Sequence, residues 1–398
     1  MLTLIKNANV YAPTPLGKKD ILIGGEKILA IQDHIEENSA IAKTWDAQGK
    51  TLTSGFIDQH VHIIGAGGKH GYESMTPEIM MGEFISCGTT SVVGLLGTDG
   101  TARSIKTLYA KAKALSNEGI SAYMFTSYFS IDPVTITGSI QDDMVFIDKV
   151  LGCKVAISDE RSSYPTATEL LRHLREVRVG GQISGKKGIL HIHLGRMTSQ
   201  IDILLELVEK YEFPIENISP THVGRTKALF DQSLKFAELG GMIDITTGGT
   251  KYTDPYKSVL YALEKGISID QLTFSSDGNA GLGKKDEHGN LIGFTKAPIH
   301  LNFEQTRALI KEGGLPIEEA IKLITLNPAK NLALKEKGKV AVGFDADFCC
   351  LDDDFKLTDV FAKGKLMMED HLFDAFLRKN ATALNWRRPE AGAFGTPF

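Results

Sequence analysis

Leu52-Thr53-Ser54-Gly55-Phe56-Ile57-Asp58-Gln59-His60-Val61-His62 is an apolar run that ends in two histidines one residue apart. Side chains alternate along a strand, so His60 and His62 leave the end of such a strand on the same side. Two imidazoles at one strand end form part of a site for a divalent ion only if other strands end in donors as well.

Beyond this run the chain alternates helical and strand-like segments. A helix is predicted near Pro77 to Ser86, a strand over Thr90 to Leu96, a helix near Ser104 to Glu118 and a strand over Ser121 to Tyr128. A helix near Asp142 to Leu151 and a strand over Lys154 to Ser158 follow, then a helix near Ala167 to Val179 and a strand over Gly188 to His193. The alternation continues through Ile201 to Tyr211, Ile218 to His222, Lys227 to Leu239, Met242 to Thr246, Pro255 to Glu264 and Leu272 to Asp277.

Eight such strands, counting the one that ends at His60 and His62, point to a closed parallel (β/α)8 barrel. An open doubly wound sheet is the alternative, but no Gly-X-Gly-X-X-Gly opens a helix after the first strand. Gly65-Ala66-Gly67-Gly68 reads as a loop rather than a phosphate cradle.

The two chain ends read differently. Thr3 to Val10, Lys19 to Ile23 and Lys27 to Gln32 are short strands divided by Gly and Pro, and Asp347 to Leu351 and Val360 to Lys363 match them in style. The fold class expected is therefore α/β, a (β/α)8 barrel over residues 53–337 with a small β-sandwich domain formed by both chain ends, residues 1–52 plus 338–380. Residues 381–398, with Arg387, Arg388 and several Pro and Gly, read as a C-terminal arm.

Composition narrows the partners. Of 398 residues 42% are hydrophobic and 23% charged, the mix of a globular protein with a filled core. The net charge of −5 and the lack of a long basic run argue against nucleic acid or an anionic membrane. No apolar run reaches the roughly 20 residues of a membrane helix, and no signal-peptide pattern opens the sequence. Cys87, Cys153, Cys349 and Cys350 lack Cys-X-X-Cys spacing and read as reduced, buried side chains, which implies the cytoplasm.

Donors stand at several predicted strand ends: His60 and His62, Lys154, His193, His222 and Asp277. Each has an ordinary alternative, a lining histidine or a turn aspartate, but coincidence at separate strand ends favours a metal site. The residues alone leave His191 and His193 open as the donor of their pair. Lys154, between Cys153 and Val155-Ala156-Ile157, reads as a buried ammonium that needs a partner. Either Asp159 or Glu160 neutralises it, or carbon dioxide converts it into a carbamate.

Gly55 to His62, Thr90-Ser91-Val92-Val93-Gly94-Leu95-Leu96-Gly97-Thr98-Asp99, Ala156-Ile157-Ser158-Asp159, Pro220-Thr221-His222-Val223 and Ser275-Ser276-Asp277-Gly278-Asn279 resemble the amidohydrolase superfamily. Within it they resemble the isoaspartyl (beta-aspartyl) dipeptidases, over nearly the whole chain. The resemblance implies a zinc-dependent metallopeptidase with two Zn2+, for which Mn2+ or Co2+ could substitute. His60, His62 and Asp277 would hold one ion, His193 and His222 the other, and carboxylated Lys154 would bridge them. Hydroxide shared by the ions would attack the amide, and Asp277 would shuttle the proton.

The resemblance further assigns substrate contacts. Arg161 and Arg225 match carboxylate-binding arginines, whose planar forks suit that group; Thr98 and Gly67 match other contacts. Three positions depart from the pattern: Lys69 stands for a glutamate that receives an α-amino group, Phe129 for a tyrosine with Tyr128 one place earlier, and Gly281 for a serine. Glu73 is near enough in sequence to replace the missing glutamate.

The function expected is hydrolysis of an amide or isopeptide bond, foremost in β-aspartyl dipeptides. The alternatives are an amidohydrolase of an N-acylated amino acid or cyclic amide, and a non-catalytic assembly homologue. The partner implied is a small carboxylated amide, without nucleic acid or membrane. Likeness to the family also implies a homo-oligomer, with an octamer among the candidates.

Overall fold

The structure is a computed structural model and describes residues 2–68 and 70–373. Eight parallel strands form one sheet in sequence order: β1 (Phe56–Val61), β2 (Thr89–Gly94), β3 (Ser121–Ser127), β4 (Val150–Ile157), β5 (Ile189–Leu194), β6 (Ile218–Thr221), β7 (Ile243–Thr246) and β8 (Leu272–Ser275). A bridge between Val61 and Gly278 draws the first and last strands together, so the sheet nearly closes into a barrel. Nearly every residue of these strands is buried, as expected of parallel strands covered on both faces, which read in sequence as apolar runs.

The crossover helices start where polar side chains can cap them. Ser104, Thr166 and Thr226 accept from the backbone N–H groups of Thr107, Glu169 and Leu229, and Glu169 returns a bond to Thr166 N in a capping box. The helix Ala167–Ser184 stops at Gly185, whose φ of 72° suits a residue without a Cβ. Inside the barrel, Ile57, Val93, Leu95, Phe125 and Ile189 form an apolar plug against Ala329 and Leu332 of the helix Leu326–Leu332.

Nine strands from both chain ends form a second, mixed sheet. Thr51–Ser54 pairs in parallel with Leu2–Tyr11 and antiparallel with Phe348–Leu351, which is how the ends meet. Its core holds Ile5, Val10, Ile21, Leu52, Phe348 and Phe361. Gly55 joins this sheet to β1; its N–H donates to Asp347 O at 2.8 Å, and a Cβ there would lie 2.2 Å from Thr90 Oγ1.

Several boundaries differ from the sequence reading. The helix expected over Asp142 to Leu151 spans Ile140–Phe146, and Val150 and Leu151 already belong to β4. Lys154 is thus deep in β4 rather than at the head of its strand. The helix near Pro77 to Ser86 is only Met81–Ile85. A hairpin of Gly281–Lys285 and Leu291–Lys296, not foreseen, follows β8. The C-terminal arm lies outside the described residues. The four cysteines are buried and unpaired, and no described helix is long and apolar enough to cross a membrane.

Candidate metal centre and active site

The donors meet at the barrel mouth. One ligand atom from each of His60, His62 and Asp277 lies within 4.8 Å of the others. Asp277 Oδ1 is 3.3 Å from His60 Nε2 and 3.2 Å from His62 Nε2. Lys154 Nζ faces His60 Nε2 at 3.5 Å rather than an ion-pairing carboxylate. The His222 ring is 4.8 Å from that of His60 and 4.6 Å from that of His193, centroid to centroid. Barrel closure therefore gathers all six residues singled out at strand ends.

Backbone strain marks the same rim. Ser158, His222 and Asp277, just past β4, β6 and β8, have φ of 53°, 66° and 51°, in the left-handed region that non-glycine residues avoid. His222 Nδ1 is held 2.6 Å from Thr246 Oγ1. On the far side of His193, Nε2 lies 3.1 Å from Asp159 Oδ2 and 3.5 Å from Arg225 Nη2. Asp159 accepts a fork from Arg161, Nε to Oδ1 at 2.8 Å and Nη2 to Oδ2 at 2.6 Å. Asp159 therefore serves His193 and Arg161, whereas the sequence reading offered it as a partner for Lys154; Glu160 is exposed.

The expected substrate contacts fall out unevenly. Phe129 is buried with its ring 4.2 Å from that of His193, and Arg161 lies over the same ring at 5.5 Å. Tyr128 is half-buried and packs instead on Gly100, where a Cβ would come 2.8 Å from its ring. Thr98 is half-buried beside Gly97, whose added Cβ would sit 3.2 Å from His62 Cε1. A Cβ on Gly281 would lie 3.0 Å from Gly67 Cα and 3.2 Å from Ser74 O. Glu73 is exposed, and Lys69 lies outside the described residues.

Comparison with known proteins agrees with this fold. The amidohydrolase family profile matches residues 251–367. The crystal structure of beta-aspartyl dipeptidase from Fervidobacterium islandicum AW-1, in complex with the beta-Asp-Leu dipeptide, is 41% identical. The match covers 94% of this chain and 99% of that one, with a TM-score of 0.87. The chain belongs to the amidohydrolase family. More distant relatives of this amidohydrolase include a dihydroorotase of Elusimicrobium minutum, 25% identical over 88% of each chain. A deacetylase of Agrobacterium fabrum is 24% identical, with 94% of this chain and 88% of its own covered.

Whether the amidohydrolase's residues fit two cations can be tested on their polar atoms. His62 Nδ1 and His222 Nε2 are buried without a hydrogen-bond partner, which is costly unless something else meets them. Burial pulls the Lys154 ammonium down to about 7, with Arg225 adding to the effect. Burial, joined by Lys154 at His60 and by Arg225 at His193 and His222, pushes those imidazoles far toward the neutral form. Burial opposes ionisation of Asp277, but His222, His60 and His62 outweigh it and hold the carboxyl well below its ordinary value. Neutral imidazoles beside an ionised carboxylate are the protonation states of ligands, so the donor set fits.

Sequence reasoning named Asp159 and His191 but missed their places near the centre: Asp159 is the shared partner of His193 and Arg161, and His191 lies against His60. The Ser158-Asp159-Glu160-Arg161 spacing carried the signal for Asp159, because a carboxylate two residues before an arginine can fold back on it.

Proposed function

We propose that the protein is a metal-dependent amidase of small carboxylated substrates, with β-aspartyl dipeptides the leading candidates. The observation that carries this is the convergence of His60, His62, Lys154, His193, His222 and Asp277 at one barrel mouth. The relative solved with beta-Asp-Leu supports the substrate class.

His60, His62 and Asp277 would hold one Zn2+, His193 and His222 the second, and Lys154, carboxylated on Nζ, would bridge them. Mn2+ and Co2+ suit the same donors. A buried amine facing an imidazole is a poor site for an ammonium and a good one for the neutral form that takes up carbon dioxide. When bound, the ions supply an activated water at neutral pH and polarise the scissile carbonyl.

The chain's own residues do the rest. Asp277 accepts the proton released on attack and delivers it to the leaving amine, a role its position against both His60 and His62 allows. Arg225, next to His193 Nε2, and Arg161, held by Asp159 at the same nitrogen, bind the substrate carboxylate. Phe129 supplies an apolar wall over His193 and has no hydroxyl to offer the carbonyl. Thr98, Gly67, Tyr128 and Gly281 would be further substrate contacts.

Phe129 also favours a second reading, an N-acylated or cyclic amide as substrate, in keeping with the dihydroorotase and the deacetylase among the relatives. Gly281 and Lys69 point the same way. The Asp277→Asn variant tests what both readings share: turnover should fall by about 10²–10⁴-fold while ions remain on the other ligands. Unchanged turnover would contradict the proton-transfer role.

A further inference from the structure

Level with Lys154 and beneath the other proposed ligands lies a buried polar layer whose remaining members the proposed chemistry does not use. Register places Lys154, His191 and Ser219 side by side on β4, β5 and β6, one step deeper than His193. His191 is fully buried, its ring stacked on Phe125 at 4.7 Å and 17°. Its Nε2 is 2.8 Å from His60 Nδ1, and its Nδ1 is 3.3 Å from Ser219 Oγ. Asn331 Nδ2 reaches Ser219 Oγ at 3.0 Å and Gln59 Oε1 at 2.8 Å. Gln59 Nε2 in turn reaches Asp244 Oδ1 at 2.8 Å and Thr273 Oγ1 at 2.7 Å.

This chain has a direction. Asp244 is surrounded by the hydroxyls of Thr221, Thr273 and Ser275 as well as the Gln59 amide, the setting of an acceptor. Both Gln59 amide hydrogens are then committed, so Gln59 Oε1 accepts and Asn331 Nδ2 donates. Ser219 Oγ accepts from Asn331, and its hydroxyl can take either role toward His191 Nδ1; reading His60 Nε2 as the ligand atom selects the arrangement in which His191 Nδ1–H donates to Ser219. A neutral His191 with its proton on Nδ1 offers a bare Nε2, which can only accept from His60 Nδ1–H. The lone pair of His60 then sits on Nε2, the atom that faces Asp277 and Lys154.

We propose that His191, oriented by Ser219 and Asn331, is a positioning residue that holds His60 in the Nδ1–H tautomer, with Nε2 free as the donor to a divalent ion. The inference rests on the reading of His60 as a metal ligand. Partners of this kind fix both the tautomer and the ring orientation of a ligating histidine, and their loss costs about 10–100-fold in metal affinity.

The test is Zn2+ binding by the full chain, measured by competition with a chromophoric chelator and checked by thermal unfolding. His191→Phe keeps a ring to stack on Phe125 and removes the acceptor; His191→Gln restores an amide oxygen near the Nε2 position. Wild type should bind two ions. His191→Phe should lose about 10–100-fold at one site and much less at the other, and His191→Gln should recover most of the loss. If His191→Phe does not fold, Ser219→Ala should give a smaller loss at the same site. Wild-type affinity in the folded variants, equal loss at both sites, or no recovery in His191→Gln would overturn the proposal. A wild type that binds no ion would instead overturn the metal reading on which it stands.

Discussion

At the scale of single residues, the two arginines are not equivalent. Arg161 already spends its fork on Asp159, whereas Arg225 has a buried Nε without a partner beside His193. Under the proposed function Arg225 would therefore be the principal receiver of the substrate carboxylate. A charged hydrogen bond contributes about 1.5–3 kcal/mol, roughly 10- to 150-fold in kcat/KM. Arg225→Lys should lose that much, chiefly through KM, and Arg161→Lys clearly less; steady-state kinetics with β-aspartyl-leucine checks the order. The convergence of His60, His62, Lys154, His193, His222 and Asp277 was legible because a parallel barrel brings its strand ends to one rim. The choice between His191 and His193 was not, since a two-residue repeat puts both on the same face and only the folded barrel shows His191 against His60 and His193 against Asp159. Phe129 was legible as a departure, but its contact with His193 depends on how the chain turns after β3, where Ser127 takes φ of 65°.

At the scale of elements, the joint between the two sheets hangs on one buried lysine. Lys337 Nζ pairs with Asp345 at 2.7 Å and Asp347 at 2.6 Å, and Asp347 also accepts from Lys363 N and binds Gly55 N, at the head of the strand that carries His60. Burial would lower the Lys337 ammonium, but Asp347 and Asp345 outweigh it and raise it above its ordinary 10.5. Burial would raise the Asp345 carboxyl, but Lys337 and Lys27 outweigh it and hold it below 3.8. A raised lysine stabilises the fold below its unfolded value and loses that as pH rises through its folded value; a depressed carboxyl stabilises above its unfolded value and loses that as pH falls. The joint should therefore be whole from about pH 4 to about pH 10.5 and weaken outside. Lys337→Met leaves the buried Asp347 without a cation and Asp345 with Lys27 alone, and should cost about 3–5 kcal/mol in denaturant unfolding at neutral pH.

Elements differed in how well they could be read. The barrel strands announced themselves as apolar runs, and the helix over Pro255–Glu264 falls where its pattern put it. Val150 and Leu151 look the same at a helix end as at a strand start, so the boundary before β4 moved and Lys154 with it. The hairpin after β8 is rich in Gly and Lys and largely exposed, so no alternation marks it in the sequence.

At the scale of the whole molecule, the proposed ions would be held by side chains from separate strands, so they would bind the fold and not the unfolded chain, and their removal should lower stability. At a free ion concentration a hundred times Kd the linkage amounts to about 2.7 kcal/mol per site. Thermal unfolding with and without chelator should show a drop, restored by Zn2+. Assembly into a homo-oligomer, proposed from family likeness, would appear in light scattering as a multiple of the 43.4 kDa chain. The most direct measurement is hydrolysis of β-aspartyl-leucine, beside its N-acetyl and N-succinyl forms, by protein loaded with zinc and bicarbonate. The expected result is turnover of the free dipeptide in preference to both acylated forms, abolished by chelation and restored by Zn2+. Turnover of an acylated form alone, or turnover that survives removal of the metal, would contradict it.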